Sequence, residues 1–285
     1  MGLCTSRQNQ EPEDLSSFKE NPAADLTSSD QPSLNSFNST YSLHEKIGSG
    51  GFGSVFRVTH LHSGAELVAK KIKTESDTVP SEITLMAEIS HPQIIRLLEF
   101  YTTPRHLLMI LELLPGCMDM FDYIDIKKRL SEVNTKYILR QLSSALSYLH
   151  EEKQIAHLDV KPENILIQPS TGIIRLIDFG AAQRITQDVH STFSGTKQYA
   201  SPEILFTGHY NPVAADIWAF GVTFYKMVMG HIPFKRTRDY LNPLTFTYRG
   251  VSSLCLETIS IILNPNPNLR PLTIRDIRSC HWMRT

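Results

Sequence analysis

The residues of this 285-residue chain best suited to chemistry fall in four short stretches. The first is Gly48-Ser49-Gly50-Gly51-Phe52-Gly53-Ser54-Val55. Glycines at these spacings let backbone N–H groups come close to phosphate oxygens with no Cβ in the way. The pattern also fits a dinucleotide site, but that site needs a strand before the loop and a helix after it. Here residues 54–59 are β-branched and aromatic, and Ser63-Gly64 reads as a turn into a further strand. The glycine loop therefore joins two strands. The second stretch is Val68-Ala69-Lys70-Lys71 on that further strand. Lys71 is expected to reach the phosphates; Lys70, on the opposite face, is the weaker candidate. Glu82 is the expected partner of Lys71, and Glu88, the alternative, fits better as a solvated charge. The third and fourth stretches are His157-Leu158-Asp159-Val160-Lys161-Pro162-Glu163-Asn164 and Asp178-Phe179-Gly180. Asn164 and Asp178 offer one amide and one carboxylate oxygen, hard ligands that suit Mg²⁺ when phosphates complete its shell.

The elements that must position these groups can be read from periodicity. Residues 68–72, 94–101, 106–113 and 173–177 read as strands. Residues 131–150 carry apolar side chains at helical spacing, at Ile138, Leu142, Ala145, Leu146 and Leu149, with Ser131 as N-cap. Residues 216–229 form a nearly all-apolar helix, which should be central. Strands crowd the first third and helices fill the rest. That order predicts an α+β architecture with a small sheet lobe followed by a larger helical lobe.

Composition narrows the function classes. The net charge of −1 gives no support to a nucleic-acid binder. Four widely spaced cysteines with no C-x-x-C pair exclude a disulfide scaffold and a zinc ribbon, and fit a reducing compartment. No run of apolar residues is long enough to span a membrane, and no signal peptide opens the chain. Residues 1–40 hold six acidic side chains against Arg7 and Lys19, a charge of −4 that leaves +3 for the remainder. This stretch is expected to be a disordered acidic tail. Its tip, Met1-Gly2-Leu3-Cys4-Thr5-Ser6, fits the N-myristoylation pattern, with Gly2 as acceptor and Cys4 as a palmitate candidate. A second acyl chain matters because one alone binds membranes only marginally.

The four stretches, in this order and spacing, resemble a eukaryotic protein kinase of the serine/threonine type over about residues 41–284. Ser201-Pro202-Glu203 stands where the family has A-P-E. Asp216-Ile217-Trp218-Ala219-Phe220-Gly221 matches D-x-W-x-x-G, and Arg270 matches the late arginine that pairs with Glu203. The resemblance implies a bilobal domain, with an N-lobe over about 41–112 and a C-lobe over about 117–284, and ATP and Mg²⁺ in the cleft. It implies that Asp159 orients the acceptor hydroxyl, that Lys161 lies near the transferred phosphate, and that Asn164 and Asp178 hold Mg²⁺. Contacts to ATP fall by the same matching on Ile47, Gly48, Gly50, Gly51, Phe52, Gly53, Val55, Ala69, Lys71 and Glu82. Leu111 stands at the gatekeeper position, and Glu112 and Leu114 offer backbone groups to the adenine. Asp216 braces the catalytic loop, and Thr196 lies in the segment that seats the acceptor.

Within the family the text is similar to the calmodulin-kinase group and most like Pim kinases; Leu158 also resembles Mos and death-associated kinases. The Leu158 position is normally an arginine that meets an activation-loop phosphate, which leucine cannot do. Activity without that phosphorylation is therefore expected. Asp119, Asp122 and Glu163 are expected to select arginine upstream of Ser or Thr in protein substrates. The chain stops at Thr285, so no calmodulin partner is expected. A cytoplasmic, monomeric enzyme is expected, also nuclear or carried to membrane surfaces by an acylated N-terminus. The alternative is a pseudokinase, a nucleotide-binding scaffold.

Overall fold

The computed structural model describes residues 34–50, 53–73, 79–102, 106–186, 190–242, 244, 246 and 250–285. Gly51 and Phe52 of the glycine loop, and Gly2 and Cys4, lie outside the described residues. The first lobe is a five-stranded antiparallel sheet in the order β1-β2-β3-β5-β4. Its strands are β1 (Tyr41–Gly50), β2 (Gly53–His60), β3 (Glu66–Lys73), β4 (Leu97–Thr102) and β5 (His106–Glu112). The stretch 94–96, expected to be strand, instead crosses to the second lobe, where Ile94 bridges Leu176. A short helix, α2 (Ser81–Met86), covers one sheet face with Ile83, Leu85 and Met86 buried.

The other sheet face is covered by a helix that composition did not foretell. The acidic tail was expected to reach residue 40, yet α1 (Leu34–Thr40) precedes β1 directly. Phe37 is 2% exposed. Its ring stacks on Tyr41 at 5.4 Å and meets Tyr101 edge-on at 5.5 Å. Both tyrosine hydroxyls donate to Glu99 Oε2, at 3.1 and 2.7 Å. One aromatic residue in a polar stretch can fix a short helix when the receiving sheet supplies the rest of the apolar surface.

The second lobe is built around α6 (Pro212–Met229). Asn211 caps it by accepting from Ala214 N, and Gly230 ends it with φ 81°. Almost every residue from Ala215 onward is buried, as an all-apolar helix requires. Gly221 is needed for packing: a Cβ there would lie 2.5 Å from Ile262 Cγ2 on α7 (Ser253–Ile262). Around α6 pack α3 (Met120–Lys127), α4 (Glu132–Ser147), α5 (Pro202–Thr207), α8 (Ile274–Ser279) and α9 (His281–Arg284). Ser131 caps α4 as read, accepting from Asn134 N. Short strands β6 (Met118–Asp119), β8 (Ile165–Gln168) and β9 (Ile173–Leu176) form one small sheet, and β7 (Ile155–Ala156) pairs with β10 (Gln183–Arg184). The β8–β9 hairpin carries the third and fourth stretches at its two ends. One hydrophobic core runs without a break from Val68 and Met109 in the first lobe to Trp218 and Trp282 in the second. The helical lobe and the antiparallel sheet give the α+β bilobal fold. No helix among the described residues is long and apolar enough to cross a membrane.

Candidate active site

Asp159 is the centre of the site. It is 5% exposed. Lys161 Nζ donates to its Oδ2 at 2.6 Å, and Asn164 Nδ2 donates to the same oxygen at 2.9 Å. Oδ1 accepts from Thr196 N at 2.8 Å. Lys161 also donates to Thr196 Oγ1 at 2.6 Å. Burial alone would raise the Asp159 pKa, but the bonds from Lys161 and Thr196 outweigh it and hold the carboxyl below its usual range. The sequence-predicted residues Asp159, Lys161, Asn164 and Thr196 thus form one hydrogen-bonded group. It joins the catalytic loop to the segment expected to seat the acceptor.

The loop is held from beneath. Asp216 is fully buried and accepts from His157 N at 2.8 Å, Leu158 N at 2.7 Å and His150 Nε2 at 2.8 Å. Leu158 has φ 61°, a conformation leucine rarely adopts. The two backbone bonds to Asp216 hold it there, so the strain belongs to the brace under Asp159. His157 Nε2 meets Ile177 O at 3.1 Å, and its ring lies edge-on to Phe179. Phe179 is buried, and Asp178 before it has φ 65°.

The structure corrects the lysine. Lys70, not Lys71, donates to Glu82 Oε1 at 2.7 Å and to Asp178 Oδ1 at 2.8 Å. Burial pulls the Lys70 pKa down, but the two carboxylates more than offset it, so its ammonium is held charged. Lys70 pairs across the sheet with Val55 and Met109, on the face that carries Val68 and Ile72. Lys71 lies on the other face with Leu67 and Ala69 and makes no ion pair among the described residues. The same register moves Ala69 out of the site. It is buried with Phe37, Tyr41 and Ile110, and Val68 takes its place beside Leu111. Glu82 keeps its expected role with a different lysine. Glu88 instead pairs with Arg184.

The two strands that flank the glycine loop are in place: Gly48 pairs with Val55, and Gly50 with Gly53, between β1 and β2. Gly53 has φ 145°, and a Cβ there would sit 2.0 Å from the Lys71 carbonyl oxygen. Only glycine lets β2 approach β3 so closely beside the lysine. Ile47 and Val55 are half-buried against the main core, next to the cleft. Glu112 N donates to Arg96 O at 3.1 Å, and its carboxylate accepts from Arg175 Nε at 3.3 Å. Leu114 is half-buried against the same core.

No group of three metal-ligating side chains occurs among the described residues. Asn164 and Asp178 are the residues that would hold Mg²⁺; they supply only part of a shell, which phosphates would extend. Glu203 and Arg270 form a two-pronged pair at 2.7 and 2.8 Å, and the guanidinium also stacks on Trp218. The substrate-selecting carboxylates differ among themselves. Asp122 is exposed, whereas Asp119 is buried and caps α3 by accepting from Asp122 N. Glu163 is half-buried, and its Oε2 is buried with no hydrogen-bond partner. Lys226, which the sequence reading passed over, sits beside them on α6. Its signal was the one basic side chain in an otherwise nearly apolar helix whose other charge is Asp216.

Comparison with known proteins agrees with this geometry. Residues 41–283 match the protein kinase domain family. The chain is 31% identical over 267 residues to serine/threonine-protein kinase pim-2 of Danio rerio, covering 87% of this chain and 86% of that protein. It is 32% identical over 265 residues to serine/threonine-protein kinase prk-2 of Caenorhabditis elegans, covering 87% and 59%. It is 39% identical over 202 residues to maternal embryonic leucine zipper kinase of Xenopus laevis, covering 68% and 31%. With Asp159, Asn164, Lys70 and Asp178 brought to one cleft, and the family matched along almost all of the described chain, the protein belongs to the protein kinase family as an ATP-dependent serine/threonine kinase.

Proposed function

We propose that the chain transfers the ATP γ-phosphoryl group to serine or threonine of proteins with basic residues upstream, without prior phosphorylation of its own activation segment. The Asp159 group carries the first part. Its carboxylate is ionised and held in place by Lys161, Asn164 and Thr196, ready to orient an acceptor hydroxyl. Lys70, Asn164 and Asp178 are the residues that would hold Mg²⁺-ATP, which supplies the phosphoryl group and its charge neutralisation. Every position this chemistry needs carries a competent side chain, so nothing favours a scaffold.

The surroundings of Leu158 support the second part. Leu158 is buried with Ala156, Ala181, Tyr210 and Ala215, and Ile185, Phe193 and Ile204 pack against them. Tyr210 donates its hydroxyl to Thr192 O at 2.6 Å, and its backbone bridges His190. A Cβ on Gly195 would lie 2.1 Å from Leu158 O. The segment is thus docked by apolar packing and backbone bonds where an arginine–phosphate pair would otherwise act. Asp119, Asp122 and Glu163 support the basic preference. The M-G-x-x-x-S start supports acylation at Gly2 and Cys4, and with it a cytoplasmic protein drawn to membranes.

The test is phosphotransfer by protein made in a kinase-free host and treated with phosphatase. It should phosphorylate arginine-containing peptides at once, and better than their alanine counterparts. Asp159→Asn should abolish the signal. Inert dephosphorylated protein that gains activity only on re-phosphorylation would overturn the second part. Equal use of both peptides would overturn the basic preference.

A further inference from the structure

Lys226 stands near the end of α6, where the phosphotransfer chemistry requires no cation. It is 8% exposed. Its ammonium lies 3.7 Å from the centroid of the Phe121 ring on α3. Burial pulls its pKa down, while Glu163, Asp119 and Asp125 attract its charge through space. Among the described residues it forms no hydrogen bond or ion pair with any of them. Opposite it, the buried Glu163 Oε2 also lacks a hydrogen-bond partner. The Lys226 ammonium and the Glu163 carboxylate thus attract each other without closing into a pair. Glu163 adjoins the reacting centre. Glu163 lies in the turn Pro162–Asn164, which packs against α3. The charges of Glu163 and Asp159 both reach Tyr199, three residues beyond Thr196.

We propose that Lys226 is a specificity-determining residue, a built-in counter-charge that cancels part of the Asp119–Glu163 field and so limits the preference for arginine in the peptide. The inference rests on the reading above that these carboxylates face the basic part of the substrate. A guanidinium entering here meets the carboxylates it needs and a like charge already stationed among them. Like charges brought together at a desolvated site are strongly unfavourable, and the remaining attraction falls to the exposed Asp122. Cation–π attraction to the Phe121 ring favours this position of the ammonium beside the carboxylates.

The experiment compares kcat/KM for peptide pairs that differ only by arginine or alanine at one upstream position. The enzymes are wild type, Lys226→Met, Lys226→Gln and Lys226→Arg, with folding checked by circular dichroism. Methionine keeps an apolar stem against Phe121 and removes the charge. The arginine-to-alanine ratio should rise about tenfold in the methionine and glutamine variants, as expected for removing one close like charge. It should stay at the wild-type value in Lys226→Arg. An unchanged ratio in both neutral variants, or an equal rise in Lys226→Arg, would overturn the proposal. Calorimetric binding of the same peptides gives the same ratio without catalysis. Wild type that binds but does not phosphorylate would count against the catalytic reading, while the binding ratio still decides the role of Lys226. Wild type with no arginine preference, beside a Lys226→Met variant with a strong one, would overturn the native preference and support Lys226 as its cause.

Discussion

Two adjacent lysines on one strand point to opposite faces, so only one can enter the cleft. Lys70 is that one, because β3 pairs Val55 and Met109 with it and turns Lys71 toward the Ala69 side. The sequence shows both lysines and cannot choose between them by type. A one-residue slip in register exchanges every side chain between the faces, and the same slip moved the expected Ala69 contact to Val68. The face was encoded elsewhere, in Phe37 and Tyr41, whose partners on the sheet had to include Ala69. Asp159, Asn164 and Asp178 raised no such ambiguity, since each is the only residue of its type at its motif position. The lysine assignment makes a sharp prediction. Lys70→Met should lower phosphotransfer at least about a hundredfold, because it removes a preorganised charge from a water-poor site. Lys71→Met should leave most of the activity, since its ammonium pairs with neither Glu82 nor Asp178. Steady-state kinetics on one peptide checks both, and the reverse order of effects would restore Lys71.

Elements with a strong period were legible, and those held by a single tertiary contact were not. The all-apolar run in α6 and the Ser131 cap of α4 could be read because the signal is local. Helix α1 has no such period. It exists because Phe37 fills a slot between Tyr41 and Tyr101 whose walls are supplied by β1 and β4. A composition argument averages that one ring into forty mostly polar residues and loses it. The strand expected from residue 94 failed for a related reason: Ile94 N donates to His91 O and Ile95 N to Leu176 O, around the lobe junction and not to β5. If α1 is held by Phe37, then Phe37→Ala should destabilise the protein by about 3 kcal/mol, the usual cost of emptying a buried aromatic site. Thermal melts should show the loss as a lower midpoint. Phe37→Leu, which refills part of the slot, should recover some of it. An unchanged midpoint for Phe37→Ala would mean that α1 adds nothing to the fold.

At the scale of the whole molecule, the two lobes share one core and one set of polar ties. The core passes from Val68 and Leu111 through Leu176 to Trp218, and Lys70 on the sheet lobe reaches Asp178 on the helical lobe. Arg175 on β9 reaches Glu112 at the end of β5. A continuous core predicts one unfolding transition, with near- and far-ultraviolet dichroism coinciding in urea. Asp159 adds a dependence on pH to that transition, because its carboxylate ties the catalytic loop to the segment that carries Thr196. Its folded pKa is lowered, so its contribution to stability is fully present above the ordinary aspartate value of about 3.9. It is lost as pH falls through the lower folded value, where protonation cancels the attraction of Lys161. Asp159→Asn removes that linkage and keeps the shape. Wild type should therefore be the more stable of the two at pH 7, and the gap between their urea midpoints should close as pH drops below about 4. A gap that stayed constant across that range would mean that the charge of Asp159 serves the reaction alone and contributes nothing to holding the site together.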